Sequence, residues 1–259
     1  MIKFAKMHGN GNDFVMVNSL EKEFNPKKAL IKKLGDRNLG IGFDQMIHIG
    51  APSKDNRDFA VKFYNTDGGK ANMCLNGVRC AATYVWDNKF APKRTLIFQT
   101  KKIDVECRPI KEGVEVILKN PTYFISKDLE KKLSKVIKTS FKLVDLGNLH
   151  LCIQKKSIDQ FDLNGLYKKL EALLRPLGIN LSIYSKDKDS YNIRTYENGV
   201  GETLSCGSAS FSVAYLCLKD EIKKTTIKSS GGSIKFTKLD DRILMSGPTK
   251  FVYSGSFHE

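Results

Sequence analysis

The chain has 259 residues, of which 41% are hydrophobic, and its formal net charge at pH 7 is +15. This length permits one large domain or two ordinary ones, and the hydrophobic content is enough for sizeable cores. Only 8 of the 43 basic residues are arginine, and the lysines are spread out without interleaved aromatic residues, so the charge predicts a solvated surface and no nucleic-acid partner. Residues 1–7 lack the apolar core of a signal peptide, and no apolar run approaches the roughly 20 residues that span a bilayer, which predicts a cytoplasmic protein with no membrane partner.

Apolar periodicity predicts five helices. In chain order they lie at 26–34, directly after Cys74, at 127–137, at 163–174 and directly after Cys206. Strands are predicted where Val, Ile and Phe alternate with polar residues, as at 114–118 and 193–196. Two more segments with strand character, 99–105 and 230–236, follow the two helices that begin after the cysteines.

Cys74 and Cys206 share one local pattern. A tyrosine precedes each cysteine by ten residues, and a short stretch of small or polar residues after each leads into an apolar run long enough for a helix. A thiol at such a junction lies beside unpaired backbone N–H groups and the positive end of the helix dipole, and both favour the thiolate. One such cysteine would indicate a nucleophile, whereas two in duplicated settings indicate an acid and a base that act on opposite sides of one carbon atom.

Other landmarks recur in the same order. Gly-Asn pairs at 11–12 and 147–148 each lead into an apolar run, and the strand-like segments after the two helices also correspond. We therefore predict two similar halves of about 120 to 130 residues, a typical domain size. The assigned domains are residues 1–118 with 251–259, which carry Cys74, and residues 119–250, which carry Cys206. No low-complexity linker separates them, which favours a short crossover near 119–121 and a rigid cleft.

The other four cysteines indicate packing. Six scattered cysteines are too few for a disulfide scaffold, and no CxxC pair or His/Cys ligand cluster occurs, so zinc is not expected. We predict that Cys80, Cys107, Cys152 and Cys217 are buried and inert.

Four motifs together carry a resemblance to a known family: residues 7–14 (MHGNGNDF), 40–45 (GIGFDQ), 196–208 (YENGVGETLSCGS) and 247–248 (GP). In order and spacing they resemble the diaminopimelate epimerases from the first residues to the last. The resemblance implies an α/β (α+β) fold of two pseudo-symmetric domains, each a curled, mainly antiparallel sheet around a central helix, with the active site in the cleft between them. It also implies a homodimeric isomerase that interconverts LL- and meso-2,6-diaminopimelate without a cofactor, on the route to lysine and peptidoglycan precursors.

The residues agree with that chemistry. A racemase must remove an α-proton and return one on the opposite face, and a thiolate paired with a thiol supplies one base per face. The backbone amides of Leu75, Asn76, Gly207 and Ser208 can hold the α-carboxylate and stabilise developing charge. No glycine-rich phosphate loop is evident, and no lysine stands out as a pyridoxal ligand, so no cofactor is predicted.

The resemblance implies roles for individual positions. Catalysis falls on Cys74 and Cys206, tuning of their pKa values on His150 and Glu197, and a dimer contact on Tyr253, and no residue is assigned to a metal. The implied substrate-binding residues are Asn12, Gln45, Asn65, Leu75, Asn76, Asn148, Asn180, Glu197, Asn198, Gly207 and Ser208.

The sequence departs from the family pattern at three positions. Leu75 replaces a glycine, which predicts crowding of the carboxylate pocket if that glycine provides close approach or a special φ. Leu149 replaces a proline, and Asn198 replaces the arginine that grips the distal carboxylate. Two alternatives stay open: a related cysteine racemase for another amino acid, favoured by Asn198, and a lysine-rich polyanion-binding protein without catalysis, favoured by Leu75.

Overall fold

The computed structural model describes residues 1–258. The chain divides into two compact units, one formed by Met1–Leu118 with the C-terminal residues from Ser246 onward, the other by Lys119–Met245. Residues 246–250 thus belong to the first unit, whereas the sequence-based assignment placed them in the second half.

The first unit carries β1 (Ile2–Gly9), β2 (Asn12–Asn18), α1 (Lys28–Gly35), β3 (Gln45–Gly50), β4 (Phe59–Asn65), β5 (Lys70–Ala71), α2 (Leu75–Asp87), β6 (Leu96–Gln99), β7 (Asp104–Ile110), β8 (Gly113–Lys119) and β18 (Lys250–Phe257). The second carries β9 (Thr122–Tyr123), α3 (Lys127–Val136), β10 (Phe141–Asp145), β11 (Leu149–Gln154), α4 (Leu163–Leu174), a short 3-10 helix (Arg175–Leu177), β12 (Asn180–Asp187), β13 (Ser190–Glu197), β14 (Gly201–Thr203), α5 (Gly207–Cys217), β15 (Lys224–Ser229) and β16 (Gly232–Leu239). Strand β17 (Arg242–Gly247) crosses the second boundary. This mixture of many strands with five α-helices in the described chain confirms the predicted α/β (α+β) class.

The two units repeat one succession of strand pairings. In the first unit, β2 runs parallel to β3, β3 antiparallel to β4, and β4 parallel to β6. In the second, β11 runs parallel to β12, β12 antiparallel to β13, and β13 parallel to β15. The repeat seen in the sequence therefore reappears as a repeated topology within each unit.

Each unit contains one helix that is buried on nearly all sides. Helix α2 packs against β1, β2, β3 and β7, and α5 packs against β11, β12, β15 and β16. A helix without a polar face has to lie inside its sheet, and both helices have almost only buried residues. The N-termini of these two helices are the places where the two cysteines of the repeat stand.

Helix positions follow from local signals. Helices α3 and α4 begin where predicted because Ser126 and Asp162 cap them, with Ser126 Oγ accepting from Leu129 N at 3.4 Å and Asp162 Oδ1 from Gly165 N at 2.8 Å. Helix α1 begins at Lys28, two residues later than predicted, because Lys27 is still extended.

The strand-like segments 99–105 and 230–236 are not continuous strands, so this part of the prediction is wrong. Each contains the turn of an antiparallel hairpin: β6 ends at Gln99 before β7 begins, and β15 ends at Ser229 before β16 begins. The physical reason is turn chemistry. Thr100 bonds to the carbonyl of Ile103 in one hairpin, and glycine supplies a positive φ of 137° at Gly232 in the other.

None of the helices that the structure describes is both long enough and apolar enough to cross a membrane.

Candidate active site

Cys74 is the N-cap of α2. Its backbone is extended (φ −143°, ψ 110°), and its Sγ accepts a hydrogen bond from Gly77 N at 3.4 Å. The carbonyl of Cys74 accepts the first bond of the helix, from Val78 N at 2.9 Å. The half-buried sulfur thus takes the place of a capping oxygen at the positive end of the helix dipole.

The first turn of α2 accepts leucine where the family pattern has glycine. Leu75 does not have a positive φ and its side chain is only 1% exposed, packed in the interior. The expected crowding through a special backbone conformation is therefore wrong. The close approach occurs instead at Gly77, where a Cβ would lie 2.5 Å from Ile47 Cδ1 and 3.2 Å from Phe63 Cε1.

Asn12 connects the N-terminal hairpin to Cys74. Its Oδ1 accepts from Cys74 Sγ at 3.5 Å and from Asn76 Nδ2 at 3.3 Å. Its Nδ2 donates to Asp44 Oδ2 at 2.7 Å. The side-chain amide of Asn12 is therefore engaged on both sides.

Gln45 and Asn65 form the other polar pair of this unit. They face each other across β3 and β4, and Gln45 Nε2 donates to Asn65 Oδ1 at 2.9 Å. Gln45 Oε1 is buried and has no hydrogen-bond partner within the described chain. A buried acceptor of this kind is costly unless a ligand supplies a donor.

A charged network surrounds the start of β2, next to Asn12. Arg37 bonds to both Asp13 and Asp44, and Lys6 pairs with Asp13. Burial by itself raises the pKa of Asp13, but the hydrogen bonds from Arg37 and Lys6 outweigh it and lower that pKa. Burial raises the pKa of Asp44; the hydrogen bond from Asn12 opposes this rise, and the charge of Asp13 adds to it.

Cys206 is the N-cap of α5 in the second unit. Its backbone is extended (φ −111°, ψ 113°), and its carbonyl accepts from Ser210 N at 3.0 Å. Its Sγ lies 3.5 Å from Ser208 Oγ in the first turn of the helix. Both cysteines therefore occupy the predicted junction between loop and helix.

The hydroxyl group of Ser208 lies within hydrogen-bond distance of three side chains, those of Cys206, Asn148 and His150. Its Oγ accepts from Asn148 Nδ2 at 3.0 Å and lies 3.0 Å from His150 Nε2. Burial lowers the pKa of His150 to about 3, so the imidazole is neutral at physiological pH. His150 Nδ1 has no partner in residues 1–258.

The hydrogen-bond partners of the two ring nitrogens favour one tautomer of His150. A proton on Nδ1 would be a buried donor without an acceptor, which is rarer and more costly in proteins than an unpaired acceptor. The proton therefore sits on Nε2 and is donated to Ser208 Oγ. Ser208 Oγ also lies 3.5 Å from Cys206 Sγ, and either group can be the donor of that contact.

Asn198 caps the end of α4. Its Nδ2 donates to the carbonyls of Leu174 and Arg175 at 3.3 and 3.5 Å, and its backbone N donates to Asn180 Oδ1 at 2.9 Å. Its neighbour Glu197 accepts from Thr203 Oγ1 at 2.7 Å. The residue that replaces the family's arginine thus serves the structure of this unit.

The structure divides the sequence-predicted residues into two sets. In the first unit, Asn12, Cys74, Leu75 and Asn76 lie together, with Gln45 and Asn65 as a separate bonded pair. In the second, Asn148, His150, Cys206, Gly207 and Ser208 form one cluster, while Asn180 and Asn198 form another beside Glu197. Tyr253 belongs to neither set and lies on β18.

Two charged residues around Cys74 were missed in the sequence. Asp44 directly precedes Gln45, a predicted substrate-binding residue. A carboxylate next to such a residue could have been recognised in the sequence as a further candidate for the site. Arg79, five residues after Cys74, is fully buried. Its Nη2 donates to Asn10 Oδ1 at 3.3 Å, while Nε and Nη1 have no hydrogen-bond partner in the described chain. Nothing in the sequence marks that arginine as buried.

The other four cysteines are buried, as predicted. Burial raises the pKa of Cys80 and of Cys217 to about 12, and it raises those of Cys107 and Cys152 as well. Within residues 1–258, no group of three or more His, Cys, Asp or Glu side chains is placed to hold a metal ion.

Comparison with known proteins agrees with these features. Residues 4–121 match the family model described as diaminopimelate epimerase. The diaminopimelate epimerase of Wigglesworthia glossinidia brevipalpis is 34% identical, covering 99% of this chain and 100% of the relative. That of Pseudomonas entomophila is 30% identical with 98% of each chain covered.

The fold has relatives beyond this family. The Bacillus anthracis phenazine biosynthesis protein of the PhzF family superposes with a TM-score of 0.71 at 13% identity, over 98% of each chain. At that identity the likeness concerns the fold alone. The sequence relatives carry the assignment, and by them this chain belongs to the diaminopimelate epimerase family and is an isomerase.

Proposed function

We propose that the chain interconverts LL- and meso-2,6-diaminopimelate by proton transfer at the α-carbon, with Cys74 and Cys206 as the two bases and without a cofactor. The observation that carries the proposal is the duplication of one arrangement: each cysteine is the N-cap of the buried helix of its unit. Membership in the diaminopimelate epimerase family supports the reaction class.

The mechanism needs opposite protonation states at the two sulfurs, and their surroundings differ in the required sense. A hydroxyl hydrogen donated by Ser208 Oγ, which lies 3.5 Å from Cys206 Sγ, would stabilise a thiolate there. Cys74 Sγ instead faces an acceptor, Asn12 Oδ1, to which only a protonated thiol can donate. In this state Cys206 is the base and Cys74 the acid, and the roles exchange after each turnover.

Charge that develops on the substrate needs stabilisation during proton removal. The first-turn amides of α2 and α5, at Leu75, Asn76, Gly207 and Ser208, are donors at helix N-termini, which favour a carboxylate. Such preorganised hydrogen-bond donors stabilise negative charge on the substrate, as an electron-sink cofactor does in cofactor-dependent racemases. Two buried amide oxygens without a partner in the described chain, Gln45 Oε1 and Asn148 Oδ1, suit the N–H groups of an ammonium ion.

His150 and Glu197 would tune the cysteines indirectly. His150 is neutral, and an Nε2–H donated to Ser208 Oγ would leave the Ser208 hydroxyl hydrogen for Cys206. Glu197 is held by Thr203, and its proposed influence is electrostatic.

A second candidate function is the racemisation of another amino acid by the same two cysteines. Asn198 favours it because its side chain caps α4 and brings no positive charge to a distal carboxylate. Membership in a family of isomerases argues against the alternative of a polyanion-binding protein without catalysis.

We further propose that the enzyme works as a homodimer in the cytoplasm, in the biosynthesis of lysine and peptidoglycan precursors. Three consecutive residues of β18, Phe251, Val252 and Tyr253, are 60%, 52% and 42% exposed. A run of exposed apolar residues on one strand suits a contact with a second copy of the chain.

The test is an assay of purified protein with LL-diaminopimelate in deuterated water. The proposal expects meso product that carries solvent deuterium at the α-carbon, with no added cofactor. Turnover of a monocarboxylic amino acid in preference to diaminopimelate would favour the second candidate. Absence of α-deuterium in every substrate tried, with folded protein, would contradict both.

A further inference from the structure

Asp44 is fixed in place next to Asn12. Arg37 donates to Asp44 Oδ1 at 2.9 Å, and the backbone N of Asp13 donates to Asp44 Oδ2 at 3.1 Å. In return, Asp44 N donates to Asp13 Oδ1 at 3.0 Å. The Asp44 carboxylate therefore has a defined position from which Oδ2 also reaches Asn12.

This position determines which way the Asn12 amide points. An ionised carboxylate accepts hydrogen bonds and has none to donate. The group 2.7 Å from Asp44 Oδ2 must then be the Asn12 nitrogen, so the Asn12 oxygen faces the other way, toward Cys74 and Asn76. Asn76 Nδ2 reinforces the same choice, because it requires an acceptor at 3.3 Å.

The amide orientation in turn selects a protonation state at Cys74. With the oxygen facing the sulfur, a thiol donates to Asn12 Oδ1 and accepts from Gly77 N, so it is satisfied on both sides. A thiolate would meet the negative end of the amide dipole at 3.5 Å. If the amide were reversed, Nδ2 would donate to the sulfur and the preference would change to the thiolate.

We propose that Asp44 is a positioning residue for the reaction, which holds the Asn12 amide with its oxygen toward Cys74 and thereby shifts the equilibrium of Cys74 toward the thiol, the acid of the pair at the start of a turnover. The role of Cys74 as the acid of the reaction rests on the proposed function, whereas the effect of Asp44 on the Asn12 amide does not. The orientation of the Asn12 amide, from which the effect on Cys74 is inferred, does not depend on a bound substrate.

The experiment compares two isosteric variants that each remove one negative charge. In Asp44→Asn, the new side chain carries both a donor and an acceptor, so it accommodates either orientation of Asn12. In Asp13→Asn, a neighbouring carboxylate is lost, but the new amide oxygen can still accept from Asp44 N and the backbone N of residue 13 can still donate to Asp44, so the Asn12 side chain keeps its partner. The readout is the rate of iodoacetamide alkylation at the Cys74 peptide, followed by mass spectrometry from pH 5 to pH 10, with the Cys206 peptide as internal reference.

We expect Asp44→Asn to lower the apparent pKa of Cys74 by about one unit, which is about a tenfold rise in alkylation rate below that pKa. Asp13→Asn should change the rate much less, and Cys206 should react as before in both variants. Equal effects of the two variants would mean that charge alone acts, and an unchanged Cys74 rate in Asp44→Asn would mean that Asp44 does not set the protonation equilibrium of Cys74. Each of these results overturns the proposal.

If Asp44→Asn is poorly folded, judged by circular dichroism, Asp44→Ala takes its place with the same expected direction. The pH dependence of kcat/KM with LL- and meso-diaminopimelate separates the two proposals. An altered Cys74 pKa in a protein that does not epimerise diaminopimelate would leave the role of Asp44 intact and contradict the proposed substrate. An unaltered Cys74 pKa in a variant that still epimerises diaminopimelate would contradict the role of Asp44 and leave the proposed substrate intact.

Discussion

At the scale of single residues, Cys74 and Cys206 are predicted to be individually indispensable. General acid or base catalysis contributes roughly 10²- to 10⁴-fold to rate, and here one group is required on each face of the α-carbon. We expect Cys74→Ala and Cys206→Ala each to lower kcat for epimerisation by at least about 10²-fold while the circular dichroism spectrum is retained. The measurement is polarimetric or coupled assay of each variant.

Cys217→Ala is the matched control for the loss of a thiol, because Cys217 is a buried residue at the far end of α5. It should keep activity near that of the unmodified chain. A Cys74→Ala or Cys206→Ala variant with comparable activity would show that one base suffices.

Two buried histidines give the chain a predictable dependence of stability on pH. Burial lowers the pKa of His150 to about 3, and burial together with the charge of Lys62 lowers that of His48 to about 4. Both lie below the value near 6.5 of an unfolded histidine, so the unfolded state binds more protons in this window. Stability is full above about pH 6.5 and is lost as the pH falls toward 4, by about 1.4 kcal/mol per pH unit for each histidine.

Urea unfolding at a series of pH values measures this slope. His150→Gln should reduce it, and the same substitution at His258, which is exposed, serves as the control. A slope that His150→Gln leaves unchanged would contradict the assignment of a neutral, buried His150.

At the scale of elements, α2 depends on the absence of a side chain at Gly77. Alanine favours a helix by up to about 1 kcal/mol over glycine, but its Cβ would lie 2.5 Å from Ile47 Cδ1 in a fully buried position. Overpacking of a core typically costs about 1–3 kcal/mol, so we expect Gly77→Ala to destabilise the chain on balance. Since valine lacks a Cδ1, Ile47→Val should relieve the clash.

A double-mutant cycle tests this relation through urea unfolding of both single variants and of the double variant. The prediction is that Gly77→Ala costs less stability in the Ile47→Val background than in the unmodified chain. Strict additivity of the two changes would argue that the clash is absorbed elsewhere.

The end of α4 provides a test of substrate specificity. Asn198→Arg restores the guanidinium of the family pattern, and a charge-assisted hydrogen bond is worth roughly 1.5–3 kcal/mol, or about one to two powers of ten in affinity. We expect a lower KM for diaminopimelate and no gain for monocarboxylic amino acids. Asn198→Leu, which removes the cap without adding charge, separates this effect from destabilisation of α4. A lower affinity for diaminopimelate in Asn198→Arg would indicate that another cation already serves the distal carboxylate.

The elements differ in how far local sequence determines them. Helices α3 and α4 were predictable because their caps, Ser126 and Asp162, lie directly before an amphipathic run. The hairpin turns after β6 and β15 were missed because threonine and lysine do not mark a turn, and because Ser230-Gly231-Gly232 was counted into a strand. Turn geometry depends on hydrogen bonds such as Thr100 to Ile103, which composition alone does not reveal.

At the scale of the whole molecule, the exposed run on β18 predicts a dimer. Tyr253→Asp should place a charge within the proposed contact and shift sedimentation velocity from dimer toward monomer. Tyr123→Asp is the matched control, since Tyr123 is 48% exposed but lies in the second unit. If the unmodified chain sediments as a monomer, the proposed homodimer is contradicted.

The family and the two cysteines could be read from the sequence because their motifs are local and duplicated. The hydrogen-bond partners could not, because they come from distant segments. Asp44 meets Asn12 across 32 positions, and Ser208 meets His150 across 58. The first contact arises from the parallel pairing of β2 with β3, and the second from the packing of α5 against β11, and no local pattern specifies either.

The pairing of β1 with β18, in which Ile2 stands opposite Phe257, has a consequence for biosynthesis. The ribosome makes the amino end of a chain first, yet β1 acquires this neighbour only when the last strand has emerged. The second unit, Lys119–Met245, is complete before that moment. The unit that is translated first is therefore completed last, and until β18 is made one edge of β1 has only β2 as its neighbour.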